Sequence, residues 1–532
     1  MVGTEDNVEV VPTPVNQEAG DTDIHIPVAW KVDDNNDEDD DRSENEVYDA
    51  TPLEPTLPWW KQKRAKIFFG VVIVLVGALV VALGVSLSQS NNPEPVSTNS
   101  TILFVTTPPT ISIAPSTSPP TITYECFAAD DGGKDGVLYK AIRAYVNQDC
   151  ANIEACSIGL VYGRPMNSWC VENIKSMNSL FRDMDTFNES ISDWNTSSVT
   201  DMGYMFYNAR SFNQDVSNFN TSSVTNMNGM FSGATKFNQD VSNFNTSSAM
   251  YMGYMFYEAT SFDGDVSSFD TSRVTDMGGM FSRTTSFNGN VSNFDTSSVT
   301  DMQSMFRDAT SFNSDVSSFN TSGVTRMGSM FSGASSFNRD ISNFDTSKVT
   351  DMGYMFWGAT SFNQDVSNFD TSSVTDMESM FSGASSFNRD LSNFDTSSVI
   401  NMNSMFHGAK AFSGDVSNSS SVKYGMYGMF NGATSFDGDV SNFNTSRVTD
   451  MRWCSMERAL SINQDVSNFN TSSVTDMSGM FKGASNFNQD LCSWRDSFPY
   501  TEAVDIFFNS SCTYQDAPNE TQKGPFCASD CQ

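Results

Sequence analysis

Aspartate recurs down this chain at a spacing of 25 residues, at Asp215, Asp240 and Asp265 and again at Asp315, Asp340, Asp365 and Asp390. If each interval is one turn of a stacked coil, the carboxylates form a column in which neighbours repel unless screened, hydrogen-bonded or bridged. Hard cations want several oxygens at once, so calcium shared between coils is the chemistry such a column could support. Capping of turns through backbone N–H bonds is the competing duty for the same side chains. An Asn column (Asn213, Asn238, Asn288) keeps the same rhythm and reads as a buried amide ladder satisfying backbone groups. A Thr column (Thr196, Thr221, Thr246, Thr271) reads as turn and cap duty. An ice-binding array would instead need Thr residues two apart on one strand face.

Catalysis finds little to work with. The chain has 2 His; His25 lies in an acidic tail and His407 stands apart. Carboxylates are numerous enough for a glycosidase pair, but near-identical repeats offer no singular polar cluster, and the reading is not an enzyme. A net charge of −35 opposes phosphate backbones, which excludes nucleic-acid binding driven by counterion release.

Ligand contacts are expected at positions that vary between repeats, because the invariant ones are committed to core and turns. The residue after the recurring Met-Phe pair varies (Tyr207, Arg307, Trp357, His407), as does the residue between Asn and Asp (Gln214, Arg339). These six are the candidate contacts for an extracellular protein or glycan. Sequons at Asn99, Asn188, Asn195, Asn220, Asn245, Asn290, Asn320, Asn418, Asn444, Asn470, Asn509 and Asn519 are candidate glycan acceptors.

The elements that hold these columns repeat thirteen times over residues 171–491, following V-T-D-M-x-x-M-F-x-G-A-x-S-F-N-x-D-V-S-N-F-[ND]-T-S-S. A fixed apolar pattern at this period means coils that bury their faces only against one another. Val199, Met202, Met205, Phe206 and Ala209 have helical spacing, and Ser198 with Asp201 resembles a capping box. A short strand is expected near Asp215–Ser217, stacking in parallel on its neighbours. The expected fold is therefore an α/β solenoid, with one short strand and one short helix per coil and a rise of ~4.8 Å per coil.

Solenoid ends need covers. Cys126, Cys150, Cys156 and Cys170 precede the repeats, and Cys492, Cys512, Cys527 and Cys531 follow them. The expectation is two Cys-rich caps (124–170 and 492–532) with two disulfides each, sequential neighbours being the preferred pairing. Cys454, inside the repeats, reads as a buried free thiol.

The N-terminal part has a different character. Residues 1–60 carry seventeen acidic side chains against two basic ones and read as a disordered cytosolic tail. A basic segment (61–66) precedes 67–87, 21 residues without a charge, enough to cross a lipid bilayer as a helix. Cations on its N-terminal side predict a type II single-pass signal anchor at the plasma membrane or another secretory-pathway membrane. The repeats are then extracellular or lumenal, carried on a Ser/Thr/Pro-rich stalk (88–123).

The unit VTDMGYMFYNARSFNQDVSNFNTSS resembles the repeat of BspA-like leucine-rich-repeat surface proteins, over more than half of the chain. The segment ending YGRPMNSWCVENI resembles the N-terminal cap that precedes such repeats. The resemblance implies a leucine-rich-repeat-type solenoid and roles in adhesion or recognition. The competing expectation is a structural cell-coat component without a specific ligand.

Overall fold

The computed structural model describes residues 124, 126–153, 156–416, 425–453 and 463–531. All of them belong to the compact unit Ile113–Gln532.

Coils of 25 residues do stack in register, but they are made neither of helix nor of strand. In the coil beginning at Val199, three-residue turns follow one another: Met205 N–H donates to the Met202 carbonyl, Tyr207 to Tyr204, Ala209 to Phe206 and Phe212 to Ala209. Two further turns, Phe219 to Val216 and Val224 to Thr221, close the coil. Alternate peptides bond outward instead. The N–H groups of Met202, Tyr204, Phe206 and Asn208 donate at 2.7–2.9 Å to the carbonyls of Asn226, Asn228, Met230 and Ser232 in the next coil. Isolated parallel bridges link each coil to the next, from Ser176–Asp201 through Asp450–Asp476.

This overturns the α/β expectation. Tyr204 and Asn208 sit at φ +54, and Gly229 and Gly233 take their places one coil later at φ +58 and +72. Alternation into the left-handed region turns every second peptide along the stack, so its N–H meets a neighbouring coil rather than the carbonyl four residues back. Asp201 is not a capping-box partner: its Oδ1 accepts the Gly203 N–H at 2.9 Å. The expected strand near Asp215–Ser217 is an Asx turn, with Asp215 Oδ1 accepting the Ser217 N–H at 2.8 Å. Among the described residues the α-helices are α1 (Val137–Asn147) and α2 (Ser157–Tyr162), both before the repeats.

Inside the stack, Met202, Met205, Phe206 and Phe212 are fully buried, as are their counterparts in coil after coil. Phe206 and Phe231 lie ring over ring at 5.4 Å, while Phe206 meets Phe212 of its own coil at 3.9 Å. Burying one such ring stabilises by roughly 1.5–3 kcal/mol. Flexible Met side chains fill what the flat rings leave open.

The stack runs past the last consensus repeat. Met477, Gly479, Phe481 and Gly483 donate to Glu502, Val504, Ile506 and Phe508, so the segment after Cys492 supplies one more rung. At the other end α1 reaches the first coil, where Arg143 Nη2 donates to the Arg182 carbonyl at 2.6 Å. Each Cys-rich segment holds two disulfides, but they are nested rather than sequential. Cys126–Cys170 encloses Cys150–Cys156, and Cys492–Cys531 encloses Cys512–Cys527.

Against the expected membrane anchor, no helix among the described residues is long and apolar enough to cross a membrane, and the segment 67–87 on which that expectation rests is not among them. Residues 1–60, 61–66, 67–87 and 88–123, together with Cys454, Asn99 and Asn418, lie outside the described residues.

Candidate functional site

The first columns to place are the polar ones. The Asp215-type carboxylates are exposed, and each takes the N–H of the Ser two residues on: Asp240 with Ser242 and Asp340 with Ser342, at 2.8 and 2.9 Å. The N–H and hydroxyl of Ser217 hold Asp215 below its ordinary range, and the hydroxyl and N–H of Ser267 do the same for Asp265. Asp315 and Asp365 follow suit, and Asp390 makes the same bond to Ser392. Among the described residues, three-ligand groups of metal-binding type lie at Cys126, Cys170 and Glu172 and at Asp490, Cys492 and Cys531. Both pairs of cysteines are disulfides, and the carboxylates from Asp215 to Asp390 belong to neither group.

The Asn column is a ladder, though an exposed one. Asn188 Oδ1 accepts the Asn213 N–H at 2.9 Å, and Asn213 Oδ1 accepts that of Asn238 at 2.9 Å. Gln214 Nε2 donates to Asn188 Oδ1, and Arg339 Nε donates to the Asn313 carbonyl at 2.6 Å. Those two candidate contacts are thus tied to the preceding coil. The Thr column is 1% exposed, and Thr221 Oγ1 donates to the Asn245 carbonyl at 3.0 Å. Buried hydroxyls cannot form an ice-binding array.

The column after Met-Phe behaves differently. Tyr207, Tyr257, Arg307, Trp357 and His407 occur fifty residues apart, on every second coil, and all reach the surface. Between them lie Ser232, Ser282, Ser332 and Ser382, each less than 5% exposed. From Tyr207 to His407 the large residues of this column alternate with the buried serines, while Arg182 and Tyr207 stand on successive coils. Three positions earlier, Tyr204, Tyr254 and Tyr354 keep part of the same rhythm. The rings of Tyr204 and Tyr207 meet edge to face at 5.9 Å, as do those of Tyr254 and Tyr257. The result is one lateral face, laid over the inter-coil hydrogen bonds, with paired rings at Tyr204–Tyr207 and, two coils on, at Tyr254–Tyr257; Ser304 and Arg307 take the next place and Tyr354 and Trp357 the one after.

Charged groups hold these rings in place. Arg182 lies 4.5 Å over the Tyr207 ring, and Arg283 bonds the Tyr257 hydroxyl at 3.0 Å and Glu258 at 2.6 Å. The Tyr354 hydroxyl donates to Glu378. Burial, then Asp276 and Asp301, raise the pKa of Tyr254; burial, then Glu378, raises that of Tyr354. Burial of its ring against the coil lowers that of His407. The phenols of Tyr254 and Tyr354 therefore stay protonated donors near neutral pH. Neither Tyr204, Tyr254 and Tyr354 nor the ion-paired Glu258 and Arg283 stood out in single 25-residue units. The fifty-residue alternation of large and small side chains is the signal that marks them.

The ten described sequons (Asn188, Asn195, Asn220, Asn245, Asn290, Asn320, Asn444, Asn470, Asn509 and Asn519) are exposed. Most hold a turn; Asn220 Oδ1 accepts the Ser222 N–H at 3.1 Å. Among the described residues a small pocket lined by Leu391, Phe394, Met402, Met405, Phe406 and Val416 offers only the Thr396 hydroxyl as a polar group.

Residues 157–269, 252–356, 336–424 and 418–519 each match the profile of a family described as Mycoplasma protein of unknown function, DUF285. Together these windows span well over half of the chain. No curated protein and no solved structure matches it.

Proposed function

The chain belongs to the DUF285 family, and on that premise we propose that it is a non-catalytic recognition protein that meets its partner through the lateral face of paired rings. The observation that carries this reading is the alternation at Tyr207, Tyr257, Trp357 and their buried Ser neighbours. Exposed rings recurring on a rigid, hydrogen-bonded backbone present contact area at little cost in side-chain entropy. Interfaces concentrate their energy in such aromatic and Arg anchors. The finer likeness to BspA-like leucine-rich-repeat surface proteins, through the D-M-x-x-M-F string, supports adhesion as the context. A purely structural coat is the competing reading, favoured by the ladder that runs from coil to coil.

Screening the full chain against glycan and protein arrays separates the two. Saturable binding that weakens in Tyr257→Ser with Trp357→Ser, and persists in Gln214→Ala with Arg339→Ala, is the expected result. Binding indifferent to both pairs, or no saturable binding at all, would leave the coat reading in place.

A further inference from the structure

We propose, resting on the recognition reading above, that the ring-bearing face takes a neutral, linear β-1,4-linked glycan laid along the stack, one disaccharide for every two coils. The register carries the argument. Tyr207 and Tyr257 are separated by two coils, which places equivalent rings about 10 Å apart along the stack. An extended β-1,4 chain flips each successive sugar and so presents the same ring face once per disaccharide, a repeat of the same length. The C–H face of a pyranose stacks on an aromatic ring, whose face is electron-rich. The intervening Ser232 is buried, so the floor between Tyr207 and Tyr257 is low.

Polar partners lie beside the rings at the height where sugar hydroxyls would pass. Asn228 Nδ2 already reaches the Tyr204 hydroxyl at 3.2 Å, and Asn401 Nδ2 reaches Glu378 at 2.9 Å. Charge narrows the ligand class. Asp351, Asp376 and Glu378 line the same face, and burial, then Asp351 and Glu378, raise the pKa of Asp376. A net charge of −35 adds to this field, and a polyanionic glycan would be repelled. An α-1,4 chain curls, and its sugars leave the two-coil register. Single rings bind sugars weakly, whereas several in register act together through effective concentration, so affinity must grow with chain length.

The test uses the full chain in calorimetric titration with cellohexaose, chitohexaose, their disaccharides, maltohexaose and polygalacturonate. At least one β-1,4 hexaose should bind roughly tenfold or more tightly than its disaccharide, because added rings act in concert. Raising the salt should not weaken it. Tyr257→Ser with Trp357→Ser, which installs the residue already native at Ser282 and Ser332, should abolish the gain while leaving circular dichroism unchanged. Arg339→Ala should bind as the parent does. Failure of both β-1,4 hexaoses, equal binding of maltohexaose, or preference for polygalacturonate would overturn the glycan assignment. If a protein ligand is instead lost in the same double variant, the glycan assignment falls and the recognition face stands. If nothing that binds responds to that variant, both fall.

Discussion

The ring of Tyr204 lies across Gly229 of the next coil, so close that a Cβ on Gly229 would come within 2.6 Å of its edge carbons. Tyr254 covers Gly279 in the same way, at 2.5 Å. At both pairs a large side chain on one coil lies over a position that lacks one on the next. This pairing gives a 25-residue repeat a fifty-residue surface.

Gly229→Ala should lower the melting midpoint, since it adds a clash with Tyr204 to a backbone at φ +58. A cost of about 1–2 kcal/mol is expected. The same change made in Tyr204→Ala should cost less, because only the backbone share remains; equal costs in both backgrounds would refute the steric pairing.

Met305 is fully buried in the core that also holds Phe306 and Phe312. Met305→Asp places an unpaired carboxylate there and should cost about 3 kcal/mol or more. Because coils touch only their neighbours, limited proteolysis should cut near residue 305 before it cuts distant coils. Protease resistance equal to the parent's would contradict the core assignment.

Non-reduced peptide mapping should recover Cys126 linked to Cys170 and Cys512 linked to Cys527. The outer N-terminal bridge spans 44 residues and the inner one 6. Replacing the outer pair with Ser should cost about 4 kcal/mol and the inner pair about 2, as read by urea unfolding. Sequential links such as Cys126 to Cys150 would overturn the nesting.

Acid should destabilise the stack through its turn-holding carboxylates. Asp215, Asp265, Asp315, Asp365, Asp439 and Asp465 are depressed below 3.8 by the Ser two residues on. Their ionised form is favoured by the fold, so their stabilisation is present above pH 3.8 and lost as pH falls through the depressed values. Asp276 and Asp376 run the other way: burial raises them, and protonating them as pH falls relieves a cost. The melting midpoint should hold or rise slightly on mild acidification and then drop below about pH 3.8. Asn290 makes the same turn bond to Ser292 without a charge. Asp215→Asn should accordingly soften the acid drop, and a steeper drop in that variant would contradict this account.

The 25-residue period, the register of the coils, the Met and Phe positions of the core, and the division of eight cysteines between two ends all follow from residue types at fixed intervals, whereas the extra rung after Cys492 does not. The conformation of each coil does not. Val199, Met202, Met205, Phe206 and Ala209 point inward at a spacing that an α-helix and a run of three-residue turns satisfy equally. The choice between them falls to the carbonyls of Asn226, Asn228 and Met230, which lie in another coil and outcompete the carbonyl four residues back. Likewise Gln214 and Arg339 look as variable as Tyr207 and Trp357, yet only stacking reveals that the former hydrogen-bond back to Asn188 and Asn313, while Tyr207 packs under Arg182 and Trp357 stays exposed. Periodicity records which side chains must be hidden together; which peptide bonds to which is set only once neighbouring coils are in contact.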